Sequence, residues 1–269
     1  MKKIIAGACL FVASLNAAAQ TQATTAEEVM TCMSQVVPGG MVIGQTLRFE
    51  TERAGDPQPQ VLLASLFLRV HRQEDGDYRS HAVMHVGAPE YLAGSAYLLR
   101  ESDGIYGEDG MYVYLPSIDR VRQVTGGFGD TALLDTKFSY NDFRHWQGLF
   151  GNADVAFVGT VERQGRATHV LEVRADKPQK VTHDRVRVAV DAEHCLVMEA
   201  EFYNNDVLSK RLTVEADHLR QFGHFWYPVR LTMRDFVRSG QTVLHVERVR
   251  AVPNPRDGLF DPARFHRAE

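Results

Sequence analysis

From Met41 onward the sequence keeps to one pattern. Short runs of β-branched, aromatic and aliphatic residues alternate with polar ones, and each run is closed by Gly, Asp, Asn or Pro. Met41 to Glu52, Val61 to Arg72, Tyr78 to Val86 and Met111 to Leu115 are among them, as are Ala167 to Ala175, Cys195 to Tyr203, Lys210 to His218 and Gln241 to Val249. A period of two sends alternate side chains to opposite faces of a strand. Turn signals such as Asn204-Asn205-Asp206 and Arg238-Ser239-Gly240 stand between runs. About eleven such strands with little helix predict a mainly β (α+β) chain, arranged as a barrel, a half-barrel or a sandwich.

Two segments depart from the alternation. Thr24 or Thr25 can cap a helix starting at Ala26, with Val29, Cys32, Met33, Val36 and Val37 at helical spacing until Pro38-Gly39-Gly40 stops it. Gly126 to Tyr140 has no clear period and reads as a long loop; Asn141 to Phe150, carrying Phe143, Trp146 and Leu149, reads as a second short helix. No Pro/Ser-rich linker divides the chain, so residues 20–269 are expected to form a single domain.

The first residues have the order of a secretory signal: Met1-Lys2-Lys3, an apolar run from Ile4 to Leu15, then Ala17-Ala18-Ala19. Residues 1–19 are expected to be removed near Ala19, which places the mature protein in the periplasm. Cleavage before Cys9 would leave too short an apolar core for a lipoprotein signal. Without Lys2 and Lys3 the formal charge falls from -4 to -6, which argues against a nucleic-acid partner. Cys32 and Cys195 remain, either as a disulfide joining the first helix to a late strand or as two separately buried thiols.

Several chemistries lack an anchor. His81 and His85 have the spacing that joins two metal ligands on a helix, but on a strand they stand about 13 Å apart. There is no Gly-x-Ser-x-Gly, no phosphate loop and no dinucleotide fingerprint, and Glu199 and Glu201 share one strand face as solvated carboxylates. A non-enzymatic protein without metal or cofactor is expected. Aromatic and large apolar residues recur throughout the β region, and a curved sheet that does not close fully leaves an apolar cavity able to take acyl chains by hydrophobic burial.

The segment Gly110-Met111-Tyr112-Val113-Tyr114-Leu115-Pro116-Ser117-Ile118-Asp119-Arg120-Val121-Arg122-Gln123-Val124 resembles the W-x-Y-L-P-x-x-x-x-x-R-R-I signature of the LolA-like outer-membrane lipoprotein-sorting proteins. Phe138-Ser139-Tyr140-Asn141-Asp142 resembles that family's D-F-S-Y-E-D run. Gly94-Ser95-Ala96, Glu201-Phe202-Tyr203 and Leu208-Ser209-Lys210 follow in the family's order. Lys137 stands where the motif carries an acid, Asn141 where it carries Glu, and Leu133-Leu134-Asp135-Thr136 where it carries a Phe-Met-Gly-Ser-like run.

The resemblance implies an incomplete antiparallel barrel with a helical lid over an apolar cavity. It also implies a carrier for the acyl chains of a lipoprotein or lipid, often beside a resistance-nodulation-division (RND) exporter. Phe67, Met84, Leu98, Tyr112, Tyr114 and Trp146 are the candidates to line the cavity. Arg120 and Arg122 either meet an anionic head group or acidic partner, or pair with Asp130, Asp135 or Asp142 to pin the loop. The expected protein is a monomeric carrier; the alternative is an exporter or envelope accessory protein that carries no lipid.

Overall fold

Thr25 caps the first helix, α1 (Ala26–Ser34), reciprocally. Its side chain accepts from the Glu28 amide at 3.1 Å, and the Glu28 carboxylate accepts from the Thr25 amide at 2.9 Å. The computed structural model describes residues 24–37, 39–53, 55–72, 78–101, 110–124, 127–146, 148, 150, 153–176 and 182–267. The expected signal sequence 1–19 with Cys9, and also Pro38 and Leu149, lie outside the described residues.

Six strands follow the helix: β1 (Val42–Thr51), β2 (Gln60–Arg72), β3 (Tyr78–Ala88), β4 (Ala96–Glu101), β5 (Met111–Leu115) and β6 (Arg120–Val124). Pro116, which cannot donate to a ladder, opens a 3-10 turn over Pro116–Ile118, and Asp119 in the left-handed region (φ 47) returns the chain into β6. A second 3-10 turn at Gly127–Asp130 and the helix α2 (Tyr140–Trp146) occupy the segment expected as loop and short helix. The carboxyl-terminal half contributes β7 (Asp154–Arg163), β8 (Arg166–Arg174), β9 (Arg185–Asp191), β10 (Val197–Asn204), β11 (Val207–Thr213), β12 (Leu219–Phe222), β13 (Phe225–Pro228), β14 (Arg230–Asp235) and β15 (Gln241–Ala251).

Thirteen of these strands form one antiparallel sheet in the order β6-β5-β4-β3-β2-β1-β15-β14-β11-β10-β9-β8-β7, while β12 and β13 pair as a separate hairpin. This is the incomplete antiparallel barrel expected from the sequence, with a higher strand count than eleven. The difference has local causes. β12 and β13 are four residues each, too short to show a period. The run Lys210 to His218 leaves the count unchanged: its strand, β11, ends at Thr213, and Ala216–His218 is a 3-10 turn.

A sheet this wide curls because its strands twist. Bulges at Thr46/Leu47, Leu63/Ala64, Phe157/Gly159 and Phe202/Tyr203 add local bends. The inner face packs into one cluster that draws Phe49, Leu62, Met84, Leu171, Val188, Phe202, Met233 and Leu244 from both halves together with Val29 and Met33 of α1. On the outer face Val42, Phe67, Val83 and Leu98 form a second cluster, covered by Leu259, Phe260 and Phe265 of the carboxyl-terminal segment. Among the described residues no helix is long and apolar enough to cross a membrane.

Candidate functional site

β6 and β7 are consecutive in sequence yet lie at opposite edges of the sheet. The chain that joins them must therefore cross the mouth of the curved sheet, so topology makes its described part, residues 127–146, a lid. Its apolar side is set by Leu133, Tyr140, Phe143 and Trp146, which pack against the inner cluster. Phe138 stacks on Phe143 with centroids 5.6 Å apart and meets Phe49 edge-on at 6.0 Å.

Two contacts fasten the cover of the concave face, one on the lid and one on α1. Asp142, in the first turn of α2, is buried; its Oδ2 accepts from the Ser139 amide at 2.6 Å and from Lys210 Nζ on β11 at 2.7 Å. Lys210 is itself buried, with its ammonium 5.1 Å from the centre of the Phe202 ring. On the other side Cys32 of α1 is joined by a disulfide to Cys195 in the β9–β10 turn, with Cα atoms 5.5 Å apart. Of the two states left open by the sequence, the structure holds the bridged one. Gly148 (φ 77) lets the chain leaving α2 run against α1: a Cβ there would stand 3.1 Å from Met33 Cβ.

Beneath the lid lie two apolar cavities that share the wall Leu47, Leu66, Leu68 and Phe143. The first, ≈ 120 Å³, runs under α1 toward Trp146, Phe225, Trp226 and the Cys195 turn. The second, ≈ 90 Å³, is bounded by Met84, Tyr97, Met111, Leu133 and Tyr140. The Tyr97 and Tyr140 rings stand 6.0 Å apart. Burial pushes the Tyr97 phenol up to about 12; burial, and then the neighbouring Tyr97, raise Tyr140 as well. Both phenols stay neutral, as an acyl-binding surface requires.

The six residues expected to line one cavity divide between the two faces. Met84 and Trp146 lie on the inner side, against the cavities. Phe67, Tyr112 and Tyr114 are corrected to the outer face, where they pack in or against the cluster under the carboxyl-terminal segment. Leu98 belongs to the outer cluster and also borders the second cavity, as expected. Tyr114 stacks on His266 at 4.1 Å and donates to Asp119 at 2.9 Å. A shift of one residue exchanges the faces of a strand, so Leu66 and Leu68 line the cavities where Phe67 was expected. The signal that could have found them is helical: α1 and α2 need an apolar surface to cover, and only one parity of β2 supplies Leu62, Ala64, Leu66 and Leu68 in succession. His81 and His85 serve the outer face too, where His81 lies beside the Phe260 ring and His85 Nε2 is 2.7 Å from the Phe265 carbonyl.

Arg120 and Arg122 are exposed on the edge strand β6, opposite Leu115 and Val113. Directly paired residues share a face, and Val113 packs against the inner cluster, so both guanidinium groups stand at the rim of the concave side. The pairing with Asp130, Asp135 or Asp142 does not form. Asp130 accepts from Asn141 and the Thr182 amide, Asp135 pairs with Arg53, and Asp142 with Lys210.

A protein-family model described as "Uncharacterized protein" matches residues 79–267. No curated protein matches the sequence. Among solved structures the fold is similar to a DUF1329 family protein from Desulfovibrio piger, with TM-score 0.76 and 19% identity over 88% of this chain and 95% of that one. It is similar to an outer membrane lipoprotein-sorting protein domain from Vibrio parahaemolyticus, with TM-score 0.76 and 18% identity over 90% and 100%. It is also similar to a LolA superfamily protein from Nitrosomonas europaea, with TM-score 0.63 and 17% identity over 88% and 98%. The incomplete antiparallel barrel, shared along nearly the whole length of these structures, is a LolA-like fold, and the chain belongs to the family whose model spans residues 79–267.

Proposed function

We propose that the mature protein, residues 20–269, is a periplasmic carrier that shields acyl chains of a lipid or lipoprotein between membranes, without catalysis. The observation that carries this reading is the pair of adjoining apolar cavities between the lid and the concave sheet. The fold it shares with an outer membrane lipoprotein-sorting protein domain supports it.

Size then dictates a mechanism. An apolar cavity of about 150 Å³ takes one benzene ring, so the cavities as they stand admit the end of a chain rather than the whole. Loading requires the α2 segment to move off the sheet, exposing Leu47, Leu66 and Leu68 as one continuous apolar floor. Each methylene then buried contributes about 0.8 kcal/mol. Release follows when an acceptor offers a better-shielded site. Arg120 and Arg122 at the rim hold the anionic part of the cargo or an acidic acceptor.

Native mass spectrometry with lipid extraction, on protein purified from its own periplasm, tests this. Acyl cargo on the wild type that is absent from Leu66→Glu supports the carrier. A clean apo mass from protein that remains folded overturns it in favour of an accessory role in an exporter of the RND class or an envelope assembly.

A further inference from the structure

On the far side of the lid segment from the apolar cavities lies a polar cleft of ≈ 580 Å³, walled by residues 130–139, by Thr182 and His183 ahead of β9, by Ser209 and Lys210 of β11 and by the β10–β11 and β14–β15 turns. Its acids are already supplied with donors. Asp130 accepts from Asn141 Nδ2 at 2.7 Å and the Thr182 amide at 2.9 Å; Asp235 accepts from the amides of Val237 and Arg238 at 2.9 and 2.8 Å; Asp135 faces Arg53 at 3.2 Å. Lys210 is held by Asp142 at the back of the cleft.

Two cations on its wall, Lys137 and Arg238, have no carboxylate partner among the described residues. They border the same turn: Lys137 Cε stands 3.5 Å from where a Cβ on Gly240 would be, two residues beyond Arg238. Lys137 itself lines the cleft, while Asn141, outside its wall, supplies a donor to Asp130.

We propose that this cleft is an oxyanion site that takes a phosphate group, gripped by Lys137 and Arg238 with the Lys210 ammonium behind them. Charge-assisted hydrogen bonds from such cations are the strong ones, and a guanidinium can engage two phosphate oxygens at once. His183 lies beside Ser209, with Nδ1 3.1 Å from Oγ, but the Ser209 hydroxyl donates to the Phe202 carbonyl at 2.8 Å and is not poised as a nucleophile. The site binds and does not hydrolyse. This inference goes beyond the carrier reading and does not depend on acyl chains entering the apolar cavities.

The phosphate belongs either to a lipid head group or to free phosphate. The mature protein is titrated with inorganic phosphate by calorimetry, and saturable binding in the millimolar range or tighter is expected. Lys137→Glu and Arg238→Glu each weaken it about tenfold or more. Arg174→Glu, the same charge change at an exposed residue outside the cleft, does not. All these side chains lie at the surface or partly so, and thermal melts verify that the variants stay folded. Dihexanoyl phosphatidylglycerol and dihexanoylglycerol distinguish the sources. Loss of the phospholipid but not the diacylglycerol in Lys137→Glu assigns the site to a head group; loss of phosphate binding alone assigns it to free phosphate. No saturable phosphate binding by the wild type, or equal weakening by Arg174→Glu, overturns the proposal.

Discussion

Asp191 is 1% exposed at the end of β9, where a bare carboxylate would be strongly disfavoured. Burial alone would raise its pKa, but the hydrogen bonds from Arg166, at 2.6 and 3.0 Å, and from the His194 amide outweigh that and hold it below the usual carboxylate value. A depressed carboxylate contributes stability above its unfolded pKa of about 3.9 and loses it as pH falls through the folded value. Arg166→Ala is therefore expected to cost about 3 kcal/mol near neutral pH. Denaturation curves of wild type and variant should converge once pH has fallen below the folded value, and a constant gap across pH would show that packing rather than charge is lost. Asp142 and Lys210 form a second buried ion pair, at the lid. Asp142→Ala strands a buried ammonium and should destabilise by about 3–5 kcal/mol, whereas Asp142→Ala with Lys210→Met, which removes both charges, should recover most of that in thermal melts. The sequence showed Asp142 and Lys210 only as parts of two separate motif fragments; their pairing across 68 residues is a product of the fold.

At the scale of the element, α1 was legible because every determinant is local: Thr25 and Glu28 three residues apart, Val29 and Met33 four apart. What it covers was not, because its partner surface comes from strands of both halves. The Cys32–Cys195 bridge decides this covering role, closing a loop with a sequence separation of 163. A cross-link over so long a loop removes unfolded-state entropy worth up to about 5 kcal/mol. Cys32→Ser with Cys195→Ser should therefore lower the denaturant midpoint, with a steeper slope because the uncrosslinked unfolded chain exposes more surface. It should also speed uptake of a fluorescent fatty acid, because α1 roofs the first cavity; unchanged uptake would confine cargo to the second. β12 and β13 escaped the sequence because four-residue strands show no period, yet Phe225 and Trp226 of β13 wall the first cavity. Trp226 is held there by stacking on His194 at 4.3 Å, a contact between segments distant in sequence.

At the scale of the whole molecule, the sheet has two apolar faces serving different ends: the inner one is covered by a lid, the outer one by the carboxyl-terminal segment. This predicts a face-specific response. Leu66→Glu should abolish fluorescent fatty-acid binding, while Tyr112→Asp, half-buried on the outer face, should leave binding intact and lower stability by about 1–3 kcal/mol. Equal loss of binding in both would mean that the outer cluster takes part in the site. The same architecture separates the apolar cavities from the polar cleft by a single segment, residues 130–146, with Tyr140 and Phe143 turned to one and Lys137 and Ser139 to the other.

The sequence by itself determined the element types, the antiparallel meander, the capped first helix and the family resemblance, because turn chemistry, two-residue alternation and helix capping are set by neighbours in the chain. Tertiary structure alone decided which parity of each strand faces the lid, that β6 and β7 end at opposite edges, and that Lys137 and Arg238 share a cleft. Alternation leaves the two faces of a strand equivalent until something covers one of them, and here both are covered, by segments whose positions follow only from closing the whole sheet.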